Sequence, residues 1–208
     1  MHNFFSSSRR RIMRVSLLLI MILALSACGG GSSSSSSSQP LVVAAIGDSI
    51  GNGFGNTGGW PGRLSSLLGV PVANNSQDGR IVRGGLGVVA SVIATVQPSH
   101  LVVLLGANDA NSGEDLNLSI SSMADIVAIC RNAGVIPIIA TTIPNTASVA
   151  VNDRTAFLAS GFAGLGNGAV IADVRAAFEG RPDLFLSDGL HPTAGGQQLI
   201  AEAMLAAF

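Results

Sequence analysis

Short apolar runs alternate with longer segments of helical character from Leu41 to the end of the chain. This alternation predicts βα units that build one mostly parallel sheet with helices packed on it. The five predicted strands run from Leu41 to Gly47, Val70 to Asn74, Leu101 to Gly106, Val135 to Thr141 and Ala169 to Ala172. Helices are predicted from Trp60 to Gly69, Leu86 to Val96, Leu116 to Asn132 and Thr193 to Ala207.

The first 27 residues do not fit this pattern. Three arginines at positions 9–11 and Arg14 precede an apolar run from Val15 to Leu25. A basic region followed by a short apolar one is typical of an export signal, and the run is shorter than the roughly 20 residues that a membrane-spanning helix needs. We therefore predict that residues 1–27 are a signal peptide.

Leu25-Ser26-Ala27-Cys28 resembles the lipobox of bacterial lipoproteins, in which the cysteine is acylated and becomes the first residue. Residues 28–40 are rich in Gly and Ser, a composition typical of a flexible tether. The resemblance implies a lipid anchor on Cys28 that holds the domain of residues 41–208 in the cell envelope. Gly29 favours the periplasmic face of the outer membrane. The alternative is an ordinary secretory signal with a coincidental cysteine.

Charge and cysteine content exclude some classes of function. The chain has no lysine, and the part after Cys28 carries seven arginines against twelve acids, a net charge of about −5. An acidic surface disfavours nucleic-acid binding. The other cysteine, Cys130, lies in an apolar stretch and is predicted to be a buried thiol. With two histidines after the signal and no cysteine pair near them, no metal site is expected.

A serine follows the first predicted strand at the point where glycines begin. A serine hydroxyl needs a neighbouring base to become a nucleophile, and the base needs a third group to orient it. His2 lies in the signal, and His100 precedes the third strand, at the end of the sheet opposite Ser49. His191 is therefore the predicted base.

Two further polar segments lie where a catalytic site would need them. Asp188 precedes His191 by three residues in a turn-forming segment, so its carboxylate can orient the imidazole. Asn108 follows the third strand, where its amide can donate to an oxyanion. Each pattern taken alone is more often structural, because Asp-Gly favours turns and Asn and Asp commonly cap helices. Asp48 and Asp109 are both interpreted as structural.

Three blocks in this order resemble the SGNH (GDSL) hydrolase family, over the chain from Leu41 to its end: Gly47-Asp48-Ser49, Gly106-x-Asn108-Asp109 and Asp188-x-x-His191-Pro192. The resemblance implies a flavodoxin-like three-layer α/β/α sandwich. It also implies roles: Ser49 as nucleophile, His191 as general base and acid, and Asp188 as its orienting partner. The oxyanion donors would be the amides of Ser49 and a glycine, and the side chain of Asn108.

The family block after the second strand departs most from its pattern. The segment Asn74-Asn75-Ser76-Gln77-Asp78-Gly79 replaces the usual small and apolar run before the glycine. Gly79 is the predicted oxyanion glycine, with Gly84 and Gly85 as alternatives. Asp78 and Arg80 flank it and are either substrate contacts or solvated loop charges.

The resemblance implies an acyl-enzyme mechanism on carboxylic esters without a cofactor. We predict small-molecule or lipid esters of short or medium acyl chains as substrates. The alternatives are a lysophospholipase or thioesterase, a carbohydrate or peptidoglycan O-acetylesterase, and a non-enzymatic ligand-binding module of the envelope. The glycine-rich stretch from Gly51 to Gly59 does not match a dinucleotide loop and is predicted to be a flexible flap over Ser49. The sequence predicts no oligomeric state.

Overall fold

The computed structural model describes residues 40–55 and 58–208, so the predicted signal peptide, Cys28 and most of the tether lie outside the described residues. All five predicted strands are present, each shortened or shifted by one to three residues. They are β1 (Val43–Ile46), β2 (Val72–Asn74), β3 (His100–Val103), β4 (Ile136–Ala140) and β5 (Val170–Ala172). Every pair is parallel, in the order β2-β1-β3-β4-β5.

The helices include all four that were predicted. In chain order they are α1 (Ser49–Asn52), α2 (Trp60–Leu68), α3 (Val82–Val96), α4 (Ala107–Ser112), α5 (Leu116–Asn132), α6 (Val149–Ala163), α7 (Val174–Ala177) and α8 (Ala194–Leu205), with a 3₁₀ turn at Pro182–Leu184. Helix α3 begins four residues earlier than predicted, because the Asp109 carboxylate accepts hydrogen bonds from the Val82 amide. Helix α6 was not among the predicted helices; it follows the connection from β4 and is capped by the Ser148 side chain, which accepts from the Val151 amide.

Two apolar cores lie on opposite faces of the sheet. Val43 and Ala45 of β1 face one core, which also contains Trp60 of α2 and Ile200 of α8. Their neighbours Ala44 and Ile46 face the other, which is completed by α3, α5 and α6. Strand side chains alternate between the faces of a sheet, so β1 contributes to both cores. The predicted three-layer α/β/α sandwich is confirmed.

The strand order places a switch point beside β1. The chain leaves β1 for the edge strand β2 and returns to β3 on the other side of β1. Ligands of open α/β sheets bind at the carboxyl ends of strands where the order reverses in this way. Ser49 and Asn108 both follow strands that flank this point, whereas His100 begins β3 at the opposite end.

Cys130 is a fully buried free thiol, and burial raises its pKa to about 11. Over the two described ranges, none of the helices has the length and apolar character that crossing a membrane requires.

Candidate active site

The turn from β1 into α1 presents Ser49 at the rim of the sheet. Asp48 is the N-cap of α1, and its Oδ1 accepts a hydrogen bond of 2.9 Å from the Ile50 amide. A capping carboxylate satisfies an amide that the first helical turn leaves unpaired. A Cβ on Gly47 would lie 2.7 Å from Ser76 Oγ, so a side chain at this position would force Ser76 to shift. The local sequence thus fixes the direction of the serine.

A chain of two hydrogen bonds joins the three predicted triad side chains. Ser49 Oγ lies 2.9 Å from His191 Nε2, and His191 Nδ1 lies 2.7 Å from Asp188 Oδ2. With the Nδ1 proton donated to the carboxylate, Nε2 is free to accept the serine proton. The serine and the histidine are 142 positions apart in sequence.

Asp188 is held by its own turn. Its Oδ1 accepts hydrogen bonds of 2.9 Å from the amides of both Leu190 and His191. Partial burial opposes ionisation, but these amides and the imidazole outweigh it, so the pKa of Asp188 lies below its ordinary value. Gly189, with φ +65°, also anchors the turn, since its carbonyl accepts from the Thr146 amide at 2.8 Å.

Asn108 lies beside the turn that carries Ser49. It is the second residue of α4, and its Nδ2 donates to Asp48 Oδ2 at 3.2 Å and to the Arg80 carbonyl at 3.1 Å. Asp48 is 1% exposed, and burial raises its pKa from 3.8 to about 7. Gly106 makes the turn into α4 with φ +107°, and a Cβ there would lie 2.6 Å from Thr142 Oγ1.

The three candidate oxyanion glycines differ in setting. Gly79 lies in an exposed loop turn with φ +73°, closed by a hydrogen bond of 3.1 Å from the Arg80 amide to the Gln77 carbonyl. Gly84 and Gly85 lie inside α3, and the Gly85 amide donates to the Ile81 carbonyl. Gly79 is therefore the one of these three glycines that lies in a loop and not in a helix. Its role as an oxyanion donor stays a prediction.

Two side chains support the site in ways that the sequence did not predict, since Arg80 was expected to be a substrate contact or a solvated loop charge and Gln197 was not singled out. Arg80 donates to the carbonyls of Gly47, at 3.2 Å, and Asn75, so it fastens the β2–α3 loop to the end of β1. Gln197 of α8 is fully buried and binds the Ile50 carbonyl and the Trp60 amide, each at 2.9 Å. A glutamine inside a helix carries no local signal of such a contact, since both partners are distant in sequence.

The arrangement can perform nucleophilic catalysis at an acyl carbon. It combines a hydroxyl, a base, an orienting carboxylate and an amide near the same strand ends. Within residues 40–55 and 58–208, the side chains of His, Cys, Asp and Glu form no group of three or more that could hold a metal ion.

Comparison with known families identifies the chain. The sequence model of the GDSL-like lipase/acylhydrolase family matches residues 45–199, most of the chain. The protein belongs to this family. The match covers the segments of Ser49, Asn108, Asp188 and His191, and it supports the predicted class of enzyme: this GDSL-like protein is a serine esterase or acylhydrolase.

Solved structures share the fold of this GDSL-like hydrolase. A lipolytic protein of the G-D-S-L family from Desulfitobacterium hafniense aligns with a TM-score of 0.70 at 19% identity, over 80% of this chain and 98% of that one. The esterase EstA from Pseudoalteromonas aligns with a TM-score of 0.66 at 20% identity, over 79% of this chain and 94% of EstA. The acetyl xylan esterase Axe2 from Geobacillus stearothermophilus aligns with a TM-score of 0.68 at 18% identity, over 79% of this chain and 93% of Axe2. A search of curated proteins found no match.

Proposed function

We propose that this GDSL-like hydrolase cleaves carboxylic esters of short or medium acyl chains through an acyl-enzyme on Ser49. The observation that carries the proposal is the continuous hydrogen-bond chain from Ser49 through His191 to Asp188, with distances of 2.9 and 2.7 Å. A positioned base and its orienting carboxylate turn a weakly nucleophilic hydroxyl into an effective one. Neither a cofactor nor a metal takes part in the proposed reaction.

In the proposed acylation step, Ser49 Oγ attacks the ester carbonyl while His191 Nε2 accepts the serine proton. The amides of Ser49 and Gly79 and the side chain of Asn108 stabilise the oxyanion. Asn108 Nδ2 already donates to Asp48 and to the Arg80 carbonyl, so in the proposed step the side chain rotates and gives up one of these hydrogen bonds to donate to the oxyanion. The tetrahedral intermediate collapses, the C–O bond breaks, and His191 returns the proton to the departing alcohol.

Deacylation repeats these steps with water as the nucleophile. His191 takes a proton from the water that attacks the acyl carbon of the ester on Ser49. The second tetrahedral intermediate then releases the carboxylic acid, and the proton returns to Ser49 Oγ. The alcohol has already left, so the rate of this half-reaction depends on the acyl group alone.

The side chains near the catalytic rim favour apolar esters over sugars. Phe54 is 52% exposed and lies against His191, and Val149, which is 79% exposed, begins α6 three residues after Thr146, whose amide donates to the Gly189 carbonyl of the Asp188 turn. Trp60 is fully buried and gives no stacking surface to a carbohydrate. Two of the similar structures bear the names esterase and acetyl xylan esterase, and the proposed chemistry would serve either kind of substrate.

An activity-based label tests the mechanism directly. A fluorophosphonate probe is expected to label the wild-type enzyme, and the Ser49→Ala variant is expected to stay unlabelled and to lose at least about 10⁴-fold in kcat/KM on nitrophenyl acetate. Ser121→Ala, at an exposed position of α5, is the matched control and should be labelled normally. A labelled Ser49→Ala variant would contradict the proposal.

Substrate range requires a panel of esters. We expect kcat/KM to be highest for nitrophenyl esters of two to eight carbons in the acyl chain. The same preparation would be given a lysophospholipid, an acyl-CoA thioester and an acetylated xylo-oligosaccharide. Higher kcat/KM on any of these three would replace the proposed substrate class with that one.

We further propose that Cys28 is lipidated and that the enzyme works in the cell envelope, on the periplasmic face of the outer membrane. The support is the sequence alone: the basic and apolar start, the lipobox-like segment and the Gly/Ser-rich tether. Mass spectrometry of the N-terminal peptide should find a diacylated Cys28, and Cys28→Ser should move the protein from the membrane to the soluble fraction. An unmodified N-terminus elsewhere would contradict this proposal.

A further inference from the structure

An exposed aromatic side chain lies against the ring of the proposed general base. The ring centroids of Phe54 and His191 are 4.3 Å apart, and the ring planes are inclined by 31°. The His191 side chain is 12% exposed, whereas Phe54 is 52% exposed. One side of Phe54 therefore covers the imidazole, and about half of the residue is exposed to solvent, where a bound molecule can contact it.

The backbone holds Phe54 in a fixed relation to the nucleophile. The Phe54 amide donates to the Ser49 carbonyl at 3.0 Å, and the Gly53 amide donates to the Ile50 carbonyl at 3.1 Å. Gly53 has φ +74°, so the end of α1 forms a Schellman motif with Phe54 as the residue after the left-handed glycine. The helix that begins at Ser49 thus ends by placing Phe54 over His191.

Close backbone packing fixes the same loop at its base. A Cβ on Gly53 would lie 2.5 Å from the Gly59 amide nitrogen, and one on Gly59 would lie 2.0 Å from the Gly51 carbonyl oxygen. A Cβ on Gly55 would lie 2.8 Å from Leu186 Cδ1. The glycines therefore allow close approach between segments, which explains this glycine-rich composition without a phosphate ligand.

Proton transfer decides which part of an ester meets Phe54. In the proposed mechanism, His191 Nε2 must donate to the alcohol oxygen, so that oxygen lies about 3 Å from Nε2 when the bond breaks. The first carbons of the alcohol then lie beside the imidazole ring that Phe54 covers. The acyl carbonyl oxygen instead faces the donors grouped around Asn108.

We propose that Phe54 forms the subsite for the leaving group and makes the enzyme prefer esters of apolar, above all aromatic, alcohols. The inference rests on the proposed function, because it uses the roles of Ser49 and His191. Aromatic pairs gain from offset and edge-to-face contact in addition to buried area. The alcohol portion of the substrate is accordingly an apolar group of about the size of a phenyl ring.

Two acetates that differ only in the alcohol test the preference. Ethyl acetate and 2-phenylethyl acetate release alcohols of similar acidity, and kcat/KM reports the acylation step for both. We expect the 2-phenylethyl to ethyl ratio of kcat/KM to fall about 3- to 10-fold in Phe54→Ala. Phe54→Tyr, which keeps the ring, should retain the wild-type ratio. Phe157→Ala is the matched control, because Phe157 of α6 is similarly exposed, at 49%.

The acyl side gives the contrasting measurement. The ratio of kcat/KM for ethyl hexanoate and ethyl acetate should be the same in Phe54→Ala and wild type, because any general effect of the substitution on His191 cancels in this ratio. Equal losses on both acetates, or a changed acyl ratio, would overturn the inference. Fluorophosphonate labelling separates the two proposals: a labelled Phe54→Ala with unaltered ratios contradicts the subsite alone, whereas an unlabelled wild type contradicts the mechanism.

Discussion

Two aspartates precede proposed catalytic side chains in the sequence, Asp48 by one residue and Asp188 by three, but their surroundings differ. Asp48 precedes Ser49 and is 1% exposed, and burial raises its pKa to about 7. The side chain of Asp188 is 41% exposed, and its hydrogen bonds hold its pKa below the ordinary value. A carboxylate that stabilises an imidazolium must stay ionised at neutral pH, and only Asp188 meets this condition fully.

An aspartate directly before Ser49 does not gain a catalytic role from that position alone. The two carboxylate oxygens of Asp48 accept hydrogen bonds from the Ile50 amide and the Asn108 side chain. Asp48 therefore holds together the turn that carries Ser49. Asp188 directs one oxygen to the imidazole and the other to its own turn. Substitutions at the two positions should therefore have different consequences.

The largest effect is expected on the activity of a variant at Asp188, the more exposed of the two aspartates. Asp188→Asn can still accept hydrogen bonds from the turn amides, but it cannot hold His191 in the tautomer that accepts the serine proton. We expect kcat to fall about 10³- to 10⁴-fold. The free energy of unfolding in urea should change little, because asparagine keeps the hydrogen bonds to the amides of Leu190 and His191. A loss below tenfold in kcat would show that Asp188 does not orient the base.

The second-largest effect is expected on the activity of a variant at Asn108, whose side-chain amide donates to Asp48. Asn108→Ala removes the proposed side-chain oxyanion donor, and we expect kcat to fall about 10²- to 10³-fold with little change in KM. Asn117→Ala, at the exposed start of α5, is the matched control and should keep wild-type kcat. An equal rise in KM with unchanged kcat would instead indicate that Asn108 serves substrate binding.

The existence of the five strands and the candidate triad residues could be predicted because their signals are local. Apolar runs mark the strands, and Ser49, Asn108 and the Asp188 turn each follow a strand or precede the last helix. Exclusion of two histidines then selected His191. The Ser49–His191 distance of 2.9 Å required the structure, since it joins residues 142 positions apart.

The contacts that support the site could not be predicted, because their partners are distant and carry no pattern. Gln197 looks like an ordinary helical residue, yet it ties α8 to the Ile50 carbonyl. Arg80 resembles a solvated loop charge, yet it is fastened to the Gly47 carbonyl. The early start of α3 has the same origin, as its amide cap comes from Asp109, 27 residues away.

The final effect is on how stability depends on pH, and it has opposite signs at the two aspartates. The raised pKa of Asp48 means that the folded state keeps a proton that the unfolded state has lost between pH 3.8 and about 7. Its contribution to the free energy of unfolding therefore falls as pH rises through that interval, by up to about 4 kcal/mol in total. For Asp188 the contribution is present above its ordinary pKa and is lost as pH falls through its lower folded value.

Urea unfolding of wild type and Asp48→Asn at pH 4.5, 6 and 8 isolates the buried carboxyl. The difference in unfolding free energy, wild type minus variant, should decrease steadily from pH 4.5 to pH 8, because other titrating groups contribute equally to both proteins. The corresponding difference for Asp188→Asn should not decrease over this range. If the Asp48 difference is independent of pH, the carboxyl is ionised throughout, and the two aspartates are distinguished by their hydrogen-bond partners instead of their protonation.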